Sequence, residues 1–544
     1  MPATALAVIL FMLRTDRPYS ARRSPPRRQR KASGPKNVVK PLYLLRAIVP
    51  SVTLSGHARD ASSPPCVSQQ QPWGWLQKSF LLIHFCSQIV RREFHMTSTD
   101  GSRLKPSSPA PDGHVRTHFK YTISPNVETL VRVQTLPDAV CRVRFDDDGA
   151  TPFTVISSSA GYLDLYATRT EDTESQRIIV EATNTATSVE QALDLRCATH
   201  PTAEAPHHVP DPWPSSPLDR ILPALSDEEA TDEDATRLAA LGYPRRPDPK
   251  TAPANNKDWR RLVSRPLTVV APTLIANPDY ARQSRIPAGP PRSGAVTPED
   301  VEGQGSYNWA GGELQFIEGD TFVLVEGWWV TPSVSLNSLP AGSGSTVIWV
   351  GLYRSNSPQL LQCGVYHDAI AYPGHLVTAY QGFSEMLPAQ PAAMMINNLP
   401  IAPGDQMMCT SAVVDNNNAP STRATKAQNH VVNVTKQTIA VVYPPLDPVI
   451  SNGAANAVWI AERPTLQNGS YPLLAQFPEL KFTNAAAEPG NQSLPMMPCY
   501  TPNSPDVTTV WDSMTNTANV GLAAGTEPGP SAQYEVDVIW LALA

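Results

Sequence analysis

The amino-acid sequence predicts an all-β protein, and three observations carry that prediction. Short apolar runs, many of them alternating in polarity, recur from about residue 115 to the end of the chain. Clusters of Gly, Pro, Asn and Asp separate them as turns. Proline is abundant, 56 of 544 residues, while charged residues make up only 17%. That composition suits β-rich domains joined by extended linkers better than a helical protein.

Residues 1–95 stand apart from the rest. Arg22, Arg23, Arg27, Arg28, Arg30 and Lys31 form a basic run broken by proline. It reads as a disordered or mis-assigned extension ahead of Met96, where a polar segment resembling a natural N-terminus begins. Residues 115–198 read as a small antiparallel β domain. Leu130–Gln134, Ala139–Phe145 and Arg177–Ala182 are its strands, and Asp146-Asp147-Asp148-Gly149 is a turn. The aspartates could ligate calcium, but the loop lacks the other ligands of a calcium pattern.

Residues 199–304 form a connector rich in Pro, Asp and Ala, with one helix. Ser226 and Glu229 make a capping box, Asp227 to Glu229 suit a helix N-terminus, Leu238 and Leu241 supply an apolar stripe, and Gly242 with Pro244 ends it. The connector is either a linker or a prosegment that packs on the next domain.

Residues 305–544 read as one large β domain. Strands are expected at Phe322–Val330, Thr346–Leu352, Leu360–Val365, His375–Tyr380, Met407–Val414, His430–Val434, Thr438–Val442, Asn456–Glu462, Leu480–Thr483 and Tyr534–Leu541. Many short strands with turns between them make a sandwich or barrel. This part holds 17 Asp and Glu against 6 Lys and Arg. Such a surface carries less net charge in acid, which suits an acid-working protein.

Several function classes fit poorly. The net charge of −6 gives no reason to expect a nucleic-acid partner. No stretch approaches the roughly 20 apolar residues that span a bilayer, and Ala5–Leu13 lacks the basic n-region of a secretory leader. The seven cysteines show no Cys-x-x-Cys spacing, so no metal or cofactor is expected. Cys141 and Cys197 could be bridged or remain two buried thiols. A thiol site at Cys363 with His367 and Asp368 has no third member, and alternation turns Cys363 away from Gln362.

The chemistry rests on Gln362 and Glu462, an amide and a carboxylate on two separate strands. If the strands are neighbours in one sheet, the pair can activate water and stabilise an oxyanion. Alternation puts Val458 and Ile460 on the face of Glu462, where they would desolvate it and raise its pKa.

An ordered series of motifs surrounds the pair: Asn308-Trp309-Ala310-Gly311-Gly312, Trp329-Val330-Thr331-Pro332, Trp349-Val350-Gly351-Leu352, Leu361-Gln362-Cys363-Gly364, Phe383-Ser384-Glu385-Met386-Leu387-Pro388, Ala402-Pro403-Gly404-Asp405, Asn456 to Glu462, and Glu479 to Thr483. The series resembles the eqolisins, the glutamic peptidases, over residues 305–544 only. The resemblance implies a concanavalin A-like antiparallel β-sandwich and a secreted acid endopeptidase acting on proteins or peptides. It implies Gln362 and Glu462 as the catalytic dyad, and Trp309, Trp349, Phe383 and Glu385 as substrate-binding positions. Two departures stand out. Tyr353 replaces an Asp of the family pattern, and Phe383 and Met386 replace two tryptophans. The competing reading is a non-catalytic module of the same architecture that binds carbohydrate or protein.

Overall fold

The structure, a computed structural model, describes residues 115–123, 128–146, 152–169, 176–197, 218–281 except 233 and 251, and 303–541 except 337–341, 355–356, 492, 502–503, 517–520 and 527–531. All lie in one compact unit running from Leu76 to Ala544. The N-terminal basic run and the Asp147–Gly149 part of the aspartate turn lie outside the described residues, as does the side chain of Cys197.

The C-terminal part is two stacked β-sheets. In the front sheet the central order is Val507–Thr515, Trp309–Phe316, Asn456–Glu462, Gly342–Tyr353, Leu360–Tyr372, His375–Leu387, all antiparallel neighbours. The back sheet runs Leu480–Pro489, Phe322–Val330, Gln406–Val414, Lys426–Asn433, Thr438–Val442. The alternation read from the sequence explains the layering. Leu361, Cys363 and Val365 turn into the core between the sheets with Val323, Val325, Met407, Cys409 and Val431, whereas Gln362, Gly364 and Tyr366 turn to the outer, front face. The expected strand at His375–Tyr380 extends to Leu387, because the hairpin partner Leu360–Tyr372 stays paired along its whole length.

The small β domain is a five-stranded sheet, from Val115–Ile123 at one edge to Phe153–Ile156 at the other, plus the strand pair Thr129–Gln134 and Tyr162–Arg169. Tyr162–Arg169 also pairs with residues 375–378 of the front sheet, and Ile370, Val377 and Ala379 complete the core of this domain. Cys141, Cys363, Cys409 and Cys499 are free, buried thiols.

Among the described residues the connector holds three helices rather than one. The capping box forms as expected: Ser226 N–H donates to Glu229 Oε2 at 2.8 Å and Glu229 N–H to Ser226 Oγ at 3.2 Å. The helix it starts, α1, covers Asp227–Asp232, and α2 covers Ala235–Leu241. The third, α3, spans Pro253–Val263 and buries Trp259, Leu262 and Val263 against Trp328, Met408 and Val432 of the back sheet. Its i, i+3, i+4 apolar stripe is short, and its other buried residues, Asn255 and Asn256, are polar, so periodicity marks it weakly. Among the described residues no helix is long and apolar enough to cross a membrane.

Candidate active site

Five adjacent strands of the front sheet build the site, and their register fixes its layout. Gly351 pairs with Gln362, which pairs with Glu385. Trp349 pairs with Gly364, and Gly364 with Phe383. Val347 pairs with Glu462 on one side and Tyr366 on the other. Trp309 lies opposite Glu462 on its far strand. All of these side chains project from one face. Gly364 has no room for anything larger: a Cβ there would fall 2.1 Å from Ile348 O and 2.5 Å from Trp349 Cβ. Its absence of a side chain lets the Trp349 strand close on the Gln362 strand.

Glu462 is fully buried rather than a solvated strand end. Asn308 Nδ2 donates to its Oε1 at 2.8 Å and Trp349 Nε1 to its Oε2 at 2.9 Å. Ser306 Oγ accepts the backbone N–H of Asn308 and of Trp309, fixing the loop that delivers the asparagine. Burial drives the Glu462 pKa well above the usual carboxylate value, and the negative charge of Glu385 adds to this. The donors Trp309, Asn308 and Trp349 oppose it. Trp309 acts there by proximity, since its N–H makes no well-aligned bond.

Gln362 is equally buried. Its Nε2 donates to Glu385 Oε2 at 2.6 Å, which requires the amide nitrogen to face the carboxylate and turns Oε1 the other way. That oxygen is buried without a partner. Asn429 Nδ2 holds the Gln362 backbone carbonyl at 2.8 Å and Ser384 Oγ at 2.9 Å.

Aromatic side chains frame both groups. Trp309 meets Trp349 edge-on at 5.0 Å and Tyr353 at 5.7 Å. Phe383 meets Tyr366 edge-on at 5.0 Å. Tyr353 donates its hydroxyl to Glu313 Oε1 at 2.5 Å, and Asn456 Nδ2 bonds the same oxygen. Thus Tyr353, at the position where the resemblance expects an aspartate, reaches a buried carboxylate on a neighbouring part of the sheet.

The sequence-derived positions therefore fall into two linked groups, Gln362 with Glu385 and Glu462 with Trp349 and Trp309, while Phe383 packs beside Tyr366. Asn308, Glu313 and Tyr366 were given no role from the sequence. Tyr366 was within reach of period-two counting from Gln362. Asn308 lies in the first motif of the series, where nothing local marks its bond to Glu462. Among the described residues no cluster of three or more His, Cys, Asp or Glu could hold a metal ion.

Comparison with known proteins gives one family. Residues 307–519 match the Peptidase A4 family, the eqolisin family. Among solved structures, the chain is similar to scytalido-glutamic peptidase in complex with a transition-state analog inhibitor, at 20% identity over 43% of this chain and 98% of that one, with a TM-score of 0.31. It is also similar to SCP-B, a member of the eqolisin family, in complex with the tripeptide Ala-Ile-His, at 18% identity over 43% and 98% of the two chains, with a TM-score of 0.30. No curated protein matches. The family match supports a glutamic-type endopeptidase.

Proposed function

Starting from the family match over residues 307–519, we propose that the C-terminal domain is an acid endopeptidase, working outside the cell, whose dyad is Glu462 and Gln362. One observation carries this reading. A fully buried carboxylate and a fully buried amide with an unpartnered oxygen occupy one face of the front sheet, on strands that are not neighbours but flank Gly342–Tyr353. Buried polar atoms are ordinarily satisfied, and a water held by Gln362 Oε1 would supply the nucleophile.

The chemistry follows from the donors available. Ionised Glu462 takes a proton from that water, which attacks the scissile carbonyl, and then returns the proton to the leaving amine. Gln362 Nε2 carries two hydrogens. One is held by Glu385, and the other is free to donate to the developing oxyanion. Glu385 fixes the amide orientation, and Trp309, Trp349 and Phe383 form apolar walls for the substrate.

The same reading makes the small β domain and the connector, 199–304, an intramolecular prosegment. Gln362, Glu385, Glu462, Trp349 and Phe383 all lie beneath a cover. That cover includes Ile156 of the small domain and Tyr280 and Ile275 of the connector, packed with Met395 on Trp349, Phe383, Val458 and Ile460. A polypeptide substrate reaches the dyad once this cover moves. Water entering the opened cleft then lowers the Glu462 pKa towards the acid working range.

The test is digestion of a protein substrate from about pH 2 to 7, after limited proteolysis of the connector and removal of that protease, by wild type, Gln362→Ala and Glu462→Gln. Loss of the general base is expected to cost about 10²–10⁴-fold, and loss of the amide donor about 10²–10³-fold. Equal activity in all three overturns the dyad. An inert wild type that still binds protein or carbohydrate favours the binding-module alternative.

A further inference from the structure

One connector residue is held in the cleft more specifically than a simple cover requires. Tyr280 is buried although it lies in an irregular segment. Its backbone forms an antiparallel bridge with Leu466, four residues beyond Glu462. Ala281 N–H donates to Thr465 O at 2.8 Å and Gln467 N–H to Asp279 O at 3.0 Å. Gln467 Nε2 donates to Tyr280 O at 2.7 Å. Both peptide units around Tyr280 are therefore tied as an added strand is tied, a mode in which main-chain bonds give affinity and side-chain pockets give specificity.

The side chain fills such a pocket. The Tyr280 ring stacks on Tyr366 at 5.0 Å, with an interplanar angle of 27°. Its hydroxyl donates to Asp368 Oδ1 at 2.7 Å. Asp368 follows Gln362, Gly364 and Tyr366 at alternate positions on one strand, so it projects from the dyad face. Ser345 pairs opposite it. Tyr366 is separated from Glu462 by the single residue Val347 across the sheet, which puts the pocket one side chain from the proposed general base.

We infer that Asp368, Tyr366 and Ser345 form a substrate subsite that selects a tyrosine side chain, and that the connector rests in the cleft as a pseudo-substrate with Tyr280 in that subsite. The inference rests on the peptidase reading above. Stacking on Tyr366 accepts any aromatic ring, and the acceptor at the pocket floor distinguishes a phenol from a plain phenyl ring. Burial raises the Asp368 pKa to about 7, so in acid the floor is a neutral carboxylic acid. A neutral acid accepts from a phenol but offers no counter-charge to lysine or arginine.

The test uses the full chain, its connector nicked by limited proteolysis, and matched peptides carrying Tyr, Phe or Lys at one position. Tyr peptides should be cleaved with kcat/KM about tenfold above Phe peptides, and Lys peptides least well. Asp368→Leu should abolish the Tyr over Phe preference, and Asp368→Asn, which keeps an acceptor, should retain it. Glu462→Gln serves as the control for the chemistry. If Glu462→Gln is inert while wild type cleaves Tyr and Phe peptides equally, the subsite is overturned and the peptidase stands. If wild type and Glu462→Gln do not differ, the peptidase reading fails. The pocket is then judged by binding of the octapeptide of residues 274–281 to the Tyr280→Ala chain. About tenfold tighter binding than its Phe counterpart upholds the pocket, and equal binding overturns it.

Discussion

Glu326→Gln is expected to flatten the dependence of stability on pH. Glu326 lies on the back sheet beneath α3, fully buried. Asn255 Nδ2 and Trp328 Nε1 both donate to its Oε1, at 3.2 and 3.0 Å, and Oε2 is buried without a partner. Burial raises its pKa from 4.5 to about 7, with small additions from Asp258 and Glu488. The folded pKa therefore exceeds the unfolded one. Between those two values the folded chain keeps a proton that the unfolded chain has lost, so stability falls as pH rises through this window. The shift converts to roughly 3 kcal/mol. Asp368, raised from 3.8 to about 7, acts in the same direction, as do Glu462 and Glu128, both raised chiefly by burial. Two histidines oppose them. Burial lowers His367 to about 3 and His430 to about 4, so their contribution is lost as pH falls below the ordinary 6.5. Glu326, Asp368 and Glu462 together outweigh the two imidazoles from about pH 6.5 to 4.5, and below about pH 4 the histidines dominate. Stability should thus peak near pH 4 to 4.5. Denaturant unfolding followed by tryptophan fluorescence from about pH 3.5 to 7.5 measures it. In Glu326→Gln the fall between pH 4.5 and 7 should shrink by roughly 3 kcal/mol. An unchanged fall, or a wild-type curve that rises towards pH 7, refutes the reasoning.

Three other substitutions probe the site. Gly364→Ala should destabilise the chain by about 3 kcal/mol, because backbone atoms of the paired strand stand where the methyl must go; a thermal unfolding midpoint close to wild type would contradict the close approach of these strands. Trp349→Phe removes an N–H donor from the Glu462 carboxylate, destabilising its ionised form. The acidic limb of the activity profile should move up by roughly one to two pH units, and an unmoved limb would remove Glu462 from the base role. Tyr353→Phe takes one donor from the buried Glu313 carboxylate and should cost about 1–3 kcal/mol in denaturant unfolding, while the ring contact with Trp309 keeps activity within a few-fold; a neutral effect on stability would mean that the bond contributes nothing.

The legible part of the site is the part set by local rules. Glu385 meets Gln362 because Pro373-Gly374 makes a tight turn that pairs Tyr372 with His375, Gly374 adopting φ of 76°. Counting back along the hairpin from that turn gives Gln362 opposite Glu385 with no tertiary information. Alternation likewise separates Cys363 from Gln362. By contrast, Glu462 reaches the patch through strands far apart in sequence, Trp309–Phe316 and Gly342–Tyr353, and no turn sets that register. The motif series carried it instead. Helix α3 was illegible because its apolar stripe is short and it buries two asparagines besides. One of them, Asn255, serves Glu326, a partner 71 residues away. Tyr280 was illegible for the same reason: a lone aromatic in a Pro-rich connector acquires its meaning from Asp368, far along the chain.

The cover over the dyad is held by contacts that must break together. Besides the Tyr280 bonds, Gln381 clasps Ile156 through both its amide groups, at 3.1 and 2.9 Å. Ile275 pairs with Met395 as a strand residue, and Asn277 N–H donates to Ala393 O at 3.2 Å. At about 0.5–1.5 kcal/mol net for each hydrogen bond, six or more of them place the open form several kcal/mol above the closed one, a population on the order of 10⁻³ or less. Apolar packing of Ile156, Tyr280 and Met395 on Trp349 and Phe383 lowers it further. Acid does little to release this lid, because Asp368 is already neutral below about pH 7 and keeps an acceptor for Tyr280. The closed chain is therefore stable under the very conditions in which the dyad works, and the step that exposes Glu462 must remove or displace the connector rather than merely protonate it.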